Sequence, residues 1–89
     1  MSKVVWKFPL KVEPKQNLIL PLGAQVLCLQ NQRDIPTIWA LVNPKEERRE
    51  KRLIQMVGTG HDELSPSGGD YIGTFQYNHG SLVWHFFHI

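Results

Sequence analysis

Along most of the chain apolar side chains return at every second position, the rhythm of a strand with one face buried and the other wet. Val4, Trp6, Phe8 and Leu10 alternate with Val5, Lys7, Pro9 and Lys11, which predicts an amphipathic first strand. Pro9 has no N–H for a ladder, so this strand is expected at a sheet edge or interrupted there. Leu18 to Leu20 form a short apolar run closed by Pro21-Leu22-Gly23, where proline sets φ and glycine permits a positive one. A strand over Ala24 to Gln30 follows, the polar cluster Asn31 to Asp34 predicts a hairpin turn, and Pro36 to Val42 returns. In that returning strand Ile38, Ala40 and Val42 face one way, Trp39 and Leu41 the other.

Asn43-Pro44 ends the pattern, and eight charged residues in succession, Lys45 to Arg52, follow with no apolar face. They read as a solvated hairpin loop or a frayed helical turn, since opposite charges three and four apart support a helix without anchoring it. Leu53 to Val57 is a further strand, broken by Gly58-Thr59-Gly60-His61, and residues 62 to 70 have loop composition. Tyr71, Gly73, Phe75 and Tyr77 alternate with Ile72, Thr74 and Gln76, Asn78-His79-Gly80 turns the chain, and Leu82 to Ile89 is almost continuously apolar, the mark of a central covered strand. The expected fold is all-β: one domain over residues 1–89, a compact sandwich or small barrel of about six or seven short strands. A short helical turn near residues 44–52 is the one departure this pattern admits, and it would make the fold α+β.

Composition narrows the setting. A chain of 89 residues has room for a single core. The lone Cys28 excludes an internal disulfide, and its apolar neighbours Val26, Leu27 and Leu29 place it in the core of a protein from a reducing compartment. No stretch approaches the length of a membrane-spanning helix and the N-terminal residues lack a leader pattern, so a cytoplasmic protein without membrane contact is expected. The net charge of +2 is too small to argue for broad attraction to nucleic acid. Apolar side chains on both faces of Leu82 to Ile89 require cover on both sides, by two sheets or by a second copy, and a homo-oligomer, most simply a symmetric dimer, is expected.

Taken in order, Val5-Trp6-Lys7-Phe8-Pro9-Leu10, Gly23-Ala24-Gln25-Val26-Leu27, Trp39-Ala40-Leu41-Val42, Gly58-Thr59-Gly60-His61, Ile72-Gly73-Thr74-Phe75-Gln76 and Leu82-Val83-Trp84-His85-Phe86 span nearly the whole chain. The set resembles a family of small uncharacterised proteins encoded by bacteriophages and prophages. That resemblance assigns no activity and no functional residues. It implies a small protein of the bacterial host cytoplasm that acts by binding, either blocking a host protein or sequestering a molecule used in defence.

No catalytic residues are expected: the serines sit in no nucleophile elbow, and the carboxylates lie mostly in the charged run and the following loop. The four histidines carry no HExxH pattern, and His85 and His88 point to opposite faces of one strand, so neither a metal nor another cofactor is expected. Gly58, Thr59, Gly60 and His61 are the candidate anion site, because glycines let successive backbone N–H groups converge on a phosphate. Arg48, Arg49 and Arg52 supply bidentate partners for that phosphate, and Trp39 and Tyr71 faces on which a base can stack. The leading expectation is a non-enzymatic counter-defence binder for a nucleotide-type host signal. The alternative is an interaction module that engages a host or phage protein through its charged loop and a sheet edge.

Overall fold

The structure, a computed structural model, describes residues 2–62 and 69–89. Seven strands form in it: β1 (Val4–Pro9), β2 (Lys15–Pro21), β3 (Gln25–Gln32), β4 (Ile35–Val42), β5 (Arg49–Gly58), β6 (Asp70–Tyr77) and β7 (Leu82–His88). They make two antiparallel sheets, ordered β1-β4-β3 and β2-β5-β7-β6, an open sandwich rather than a closed barrel. The all-β expectation holds, and the edge position expected for the Pro9 strand is where β1 lies.

The short helical turn near residues 44–52 does not form. Arg49 to Arg52 instead begin β5, paired Pro21↔Arg49, Leu20↔Glu50, Ile19↔Lys51 and Leu18↔Arg52. A charged segment with no apolar face cannot recover the cost of helix nucleation, whereas the ladder to β2 satisfies its backbone at once. The turns follow the residue chemistry more closely. Arg33 and Asp34 both hold positive φ, 51° and 66°, as a two-residue type I′ hairpin demands, and Asn31 Oδ1 accepts the Asp34 N–H at 2.8 Å. The loop expected over residues 62 to 70 falls mostly outside the described residues.

The core lies between the two inner faces. Leu29, Ile38, Ala40 and Val42 from one sheet meet Leu20, Ile54, Met56, Phe75 and Phe86 from the other. Phe75 and Phe86 are the largest of the fully buried side chains, and β7 is central, between β5 and β6, as its apolar run predicts. Two β-bulges change which residues share this core. Between Val26 and Cys28 the register with β4 slips, so Cys28 stands opposite Trp39 on the outer face, half-buried, and not in the core as expected. Between Tyr71 and Gly73 the same happens: Tyr71 pairs with Phe87 and Gly73 with Phe86, so Tyr71 and Phe75 end on opposite faces.

The sheets approach most closely where β3 runs beside β6. A Cβ on Gly73 would lie 2.6 Å from the Leu29 carbonyl oxygen and 2.8 Å from its Cβ, so only glycine fits. Asn31 Nδ2 adds a bond to the Gln76 carbonyl at 3.3 Å across the same seam. On the other flank Arg52 is a clasp: its guanidinium donates to the Ala24 carbonyl at 2.7 Å and pairs with Glu50, whose Oε1 also accepts the Gly23 N–H at 3.3 Å.

Two outcomes follow from this packing. Gly73→Ala forces backbone apart at the seam and should cost about 1 to 3 kcal/mol, the usual range for overpacking; a urea titration would show a lower midpoint with an unchanged slope. Acid should destabilise the fold in two stages. Burial, helped by Arg52, holds His88 below its ordinary 6.5 in the native state, so the unfolded chain binds more protons and stability falls as pH drops below that value. Hydrogen bonding from Arg52 holds Glu50 below its ordinary 4.5, so a further loss begins there. In thermal melts across pH, His88→Asn should flatten the upper stage and Glu50→Gln the lower.

Candidate functional site

The segment Gly58-Thr59-Gly60-His61 closes β5 as a tight turn. His61 N–H donates to the Gly58 carbonyl at 3.1 Å, and Gly60 supplies the positive φ of 85° that a type II turn needs at its third residue. Thr59 N–H donates to the Val83 carbonyl at 3.4 Å and extends the ladder to β7. Two of the amides that would converge on an anion are thus engaged inside the fold.

The same turn makes a cleft. Gly58 pairs with Trp84 across the ladder, and a Cβ there would lie 2.9 Å from the His61 ring and 3.2 Å from Trp84 Cζ3. The missing side chain is what lets His61 fold back toward the indole. The resulting cleft holds about 260 Å³ and is lined by Gly58, Thr59 and His61 of the turn, by Ser81 just before β7, and by Leu82, Val83 and Trp84. Leu82 and Trp84 also wall a second cavity of about 410 Å³, completed by Val12, Asp34 and Tyr77. Asp34 and Tyr77 wall a third of about 200 Å³ with Asn78 and His79. The three adjoin through shared wall residues and form a row of clefts, the end groove, with Trp84 between the first two and Tyr77 between the second and third.

The other candidate residues lie elsewhere. Arg49 and Gly58 are the two ends of β5, about 30 Å apart at the rise of an extended strand. Arg48 is held by Glu46, at 2.7 and 3.1 Å, and hydrogen bonds from Arg48 in turn keep the Glu46 carboxyl down at about 2. Arg49 donates to the Glu46 and Arg48 carbonyls at 2.8 and 3.2 Å. Arg52 is the clasp already described. The three arginines therefore share no site with the glycine turn, because the run that contains them enters β5 at the opposite end.

Trp39 is half-buried on the outer face of the three-stranded sheet. Tyr71 is on the outer face of the four-stranded sheet, its ring edge-on to Phe87 with centroids 5.7 Å apart. Its hydroxyl meets Thr74 Oγ1 at 2.5 Å, Thr74 meets His85 Nδ1 at 3.0 Å, and His85 Nε2 meets Thr59 Oγ1 at 2.7 Å. This chain of side-chain hydrogen bonds ties β6, β7 and the turn together. Tyr71 and Trp39 thus occupy outer faces of different sheets, and neither lines the groove.

The groove's own aromatics are Tyr77 and Trp84, and Trp84 also packs against the core, as its place in the apolar run of β7 predicts. Tyr77 is exposed at the end of β6, beside the four-residue connection 78–81, whereas Trp84 is half-buried. Register decides the rest: only the pairing of Gly58 with Trp84 puts the glycine turn against an indole.

No curated protein and no solved structure matches the chain. The family profile described as a domain of unknown function, DUF7352, matches residues 1–89. The chain, from its first residue to its last, belongs to the DUF7352 domain family.

Proposed function

We propose that the protein is a non-enzymatic binding module whose end groove takes a small nucleotide-type ligand, its base against Trp84 and its polar substituents toward Thr59, His61 and Ser81. The carrying observation is that the Trp84 ring walls two adjoining cavities at once, of about 260 and 410 Å³, sizes that suit one planar ring system and a substituent. Stacking on an indole contributes about 1 to 3 kcal/mol per base, and imidazole and hydroxyl groups beside it orient what is bound. In the bacteriophage setting that the motif order suggests, the role of such a module is to sequester a nucleotide-derived signal of host defence. The arginines of the charged run do not enter this reading, since each has a partner at the far end of β5.

A thermal-shift panel of nucleoside phosphates, cyclic dinucleotides and ADP-ribose derivatives tests it. A ligand present at about 100 times its Kd adds about 2.7 kcal/mol, a Tm rise on the order of 10 °C in a domain of this size. Leu82→Glu, a change at an exposed wall residue, should abolish the shift while leaving the unliganded Tm near wild type. Arg48→Ala should leave the shift intact. A panel with no stabilising member, or a shift lost in Arg48→Ala and kept in Leu82→Glu, rejects the groove as the site.

Gly58→Ala probes the same wall from inside the turn. The added methyl meets the His61 ring, which can swing away, before it meets Trp84. The expected result is weaker ligand binding at nearly unchanged stability, read in the same assay.

A further inference from the structure

The open edge of β1 has three properties that together describe a partner. The first is its backbone. Leu10 N–H donates to the Pro36 carbonyl at 2.8 Å, and bonding alternates along an antiparallel pair, so Phe8, Trp6 and Val4 also turn their polar groups toward β4. Val5 and Lys7 therefore present N–H and C=O to the open side. The register with β4 carries no bulge, and Pro9 stands only at the strand's end. The usual devices that blunt an edge are absent from its middle, save one lysine.

The second property is an uncovered inner face. Trp6 and Val4 pair with Ala40 and Val42, which are 0% and 1% exposed, yet they are themselves 38% and 37% exposed. On this inner face the cover given to Ala40 and Val42 does not extend to the edge strand.

The third is charge. Lys3 and Lys7 flank Val5 on the outer side, and neither has an ion-pair partner among the described residues. None of the strands β1, β3 and β4 contains a carboxylate.

We infer that this edge is a docking site for an extended acidic segment of another protein, added as a fourth strand beside β1. Period two places carboxylates four residues apart opposite Lys3 and Lys7, with three apolar residues between them opposite Val4, Val5 and Trp6. Main-chain bonds to Val5 and Lys7 supply the attachment, the two ion pairs set the register, and the apolar residues extend the inner face past Trp6. A second copy of this chain fits less well. Of the three antiparallel self-pairings that use the Val5 and Lys7 groups, two oppose lysine to lysine, which destabilises a sheet. The site shares no residue with the end groove and stands or falls independently of it.

The test uses the whole protein and a synthetic peptide with Glu at its first and fifth residues and Val or Ile between them. Expected are saturable binding that weakens with salt, slowed amide exchange at Val5 and Lys7, and a shift in Trp6 fluorescence. Lys7→Glu should weaken binding by at least about tenfold, since like charges then face each other. The same variant should bind a peptide in which only the Glu that faces position 7 is replaced by Lys. Val5→Pro removes an open-edge N–H and should abolish binding at near-wild-type Tm. Absence of saturable binding overturns the inference, as does binding that both variants leave intact. A dimer in sedimentation that excludes the peptide and dissolves in Val5→Pro overturns it in favour of self-pairing.

Discussion

The approach of β6 to β3 is the contact on which the rest of this domain is arranged. Leu29 of β3 meets the backbone of β6 where position 73 has no side chain, and a single Cβ there would press on the Leu29 carbonyl at 2.6 Å. With that flank closed, Phe75 and Phe86 fall between the sheets against Ile38 and Leu29, and the turns at Asp34 and Asn78 come side by side. The end groove is a product of that juxtaposition: its walls pass from the β3–β4 turn through Tyr77 and Leu82 to Trp84. The opposite flank is left open. There Trp6 pairs with the buried Ala40 on the inner face of β1, yet it is 38% exposed, so it has the position of a core residue and the exposure of a surface one.

Charge is distributed with the same asymmetry. Two arginines of the β4–β5 connection and β5 are neutralised locally, Arg48 by Glu46 and Arg52 by Glu50; Arg52 is further tied to the Ala24 carbonyl, and Arg49 donates to the carbonyls of Glu46 and Arg48. A dense run of charges thereby acts as part of the scaffold. The three-stranded sheet, by contrast, has lysine at its margin and no carboxylate in its strands. A net charge of only +2 conceals a basic edge beside a self-compensated loop. Composition describes sums, whereas recognition depends on which charges lack a partner within reach.

Individual residues show where reading the chain succeeds and where it stops. Ile38, Ala40 and Val42 alternate without interruption, and they are core as their spacing requires. Cys28 and Tyr71 are misplaced by the same reading, because each follows or adjoins a bulge, and one unpaired residue reverses the side of every residue beyond it. No local signal in Val26-Leu27-Cys28 announces that slip. Among the site candidates, the Gly58 to His61 turn does line a cleft, but the arginines and stacking rings assigned to it lie at the far end of β5 and on outer faces. Proximity in sequence between Arg52 and Gly58 says nothing of proximity in space when the residues between them are extended.

Strand count, most turn positions and the all-β class are local properties: they follow from a two-residue apolar rhythm and from residues that prefer positive or fixed φ, and they can be read without knowing which strand pairs with which. Strand order, the open β1 edge, the local pairing of the arginines and the indole-walled groove are pairing properties. They depend on contacts between residues far apart in the chain, such as Gly58 with Trp84, Gly73 with Leu29 and Arg52 with Ala24. Many pairings are compatible with one alternating pattern, and the choice among them is made by whether the resulting interior closes without voids or clashes.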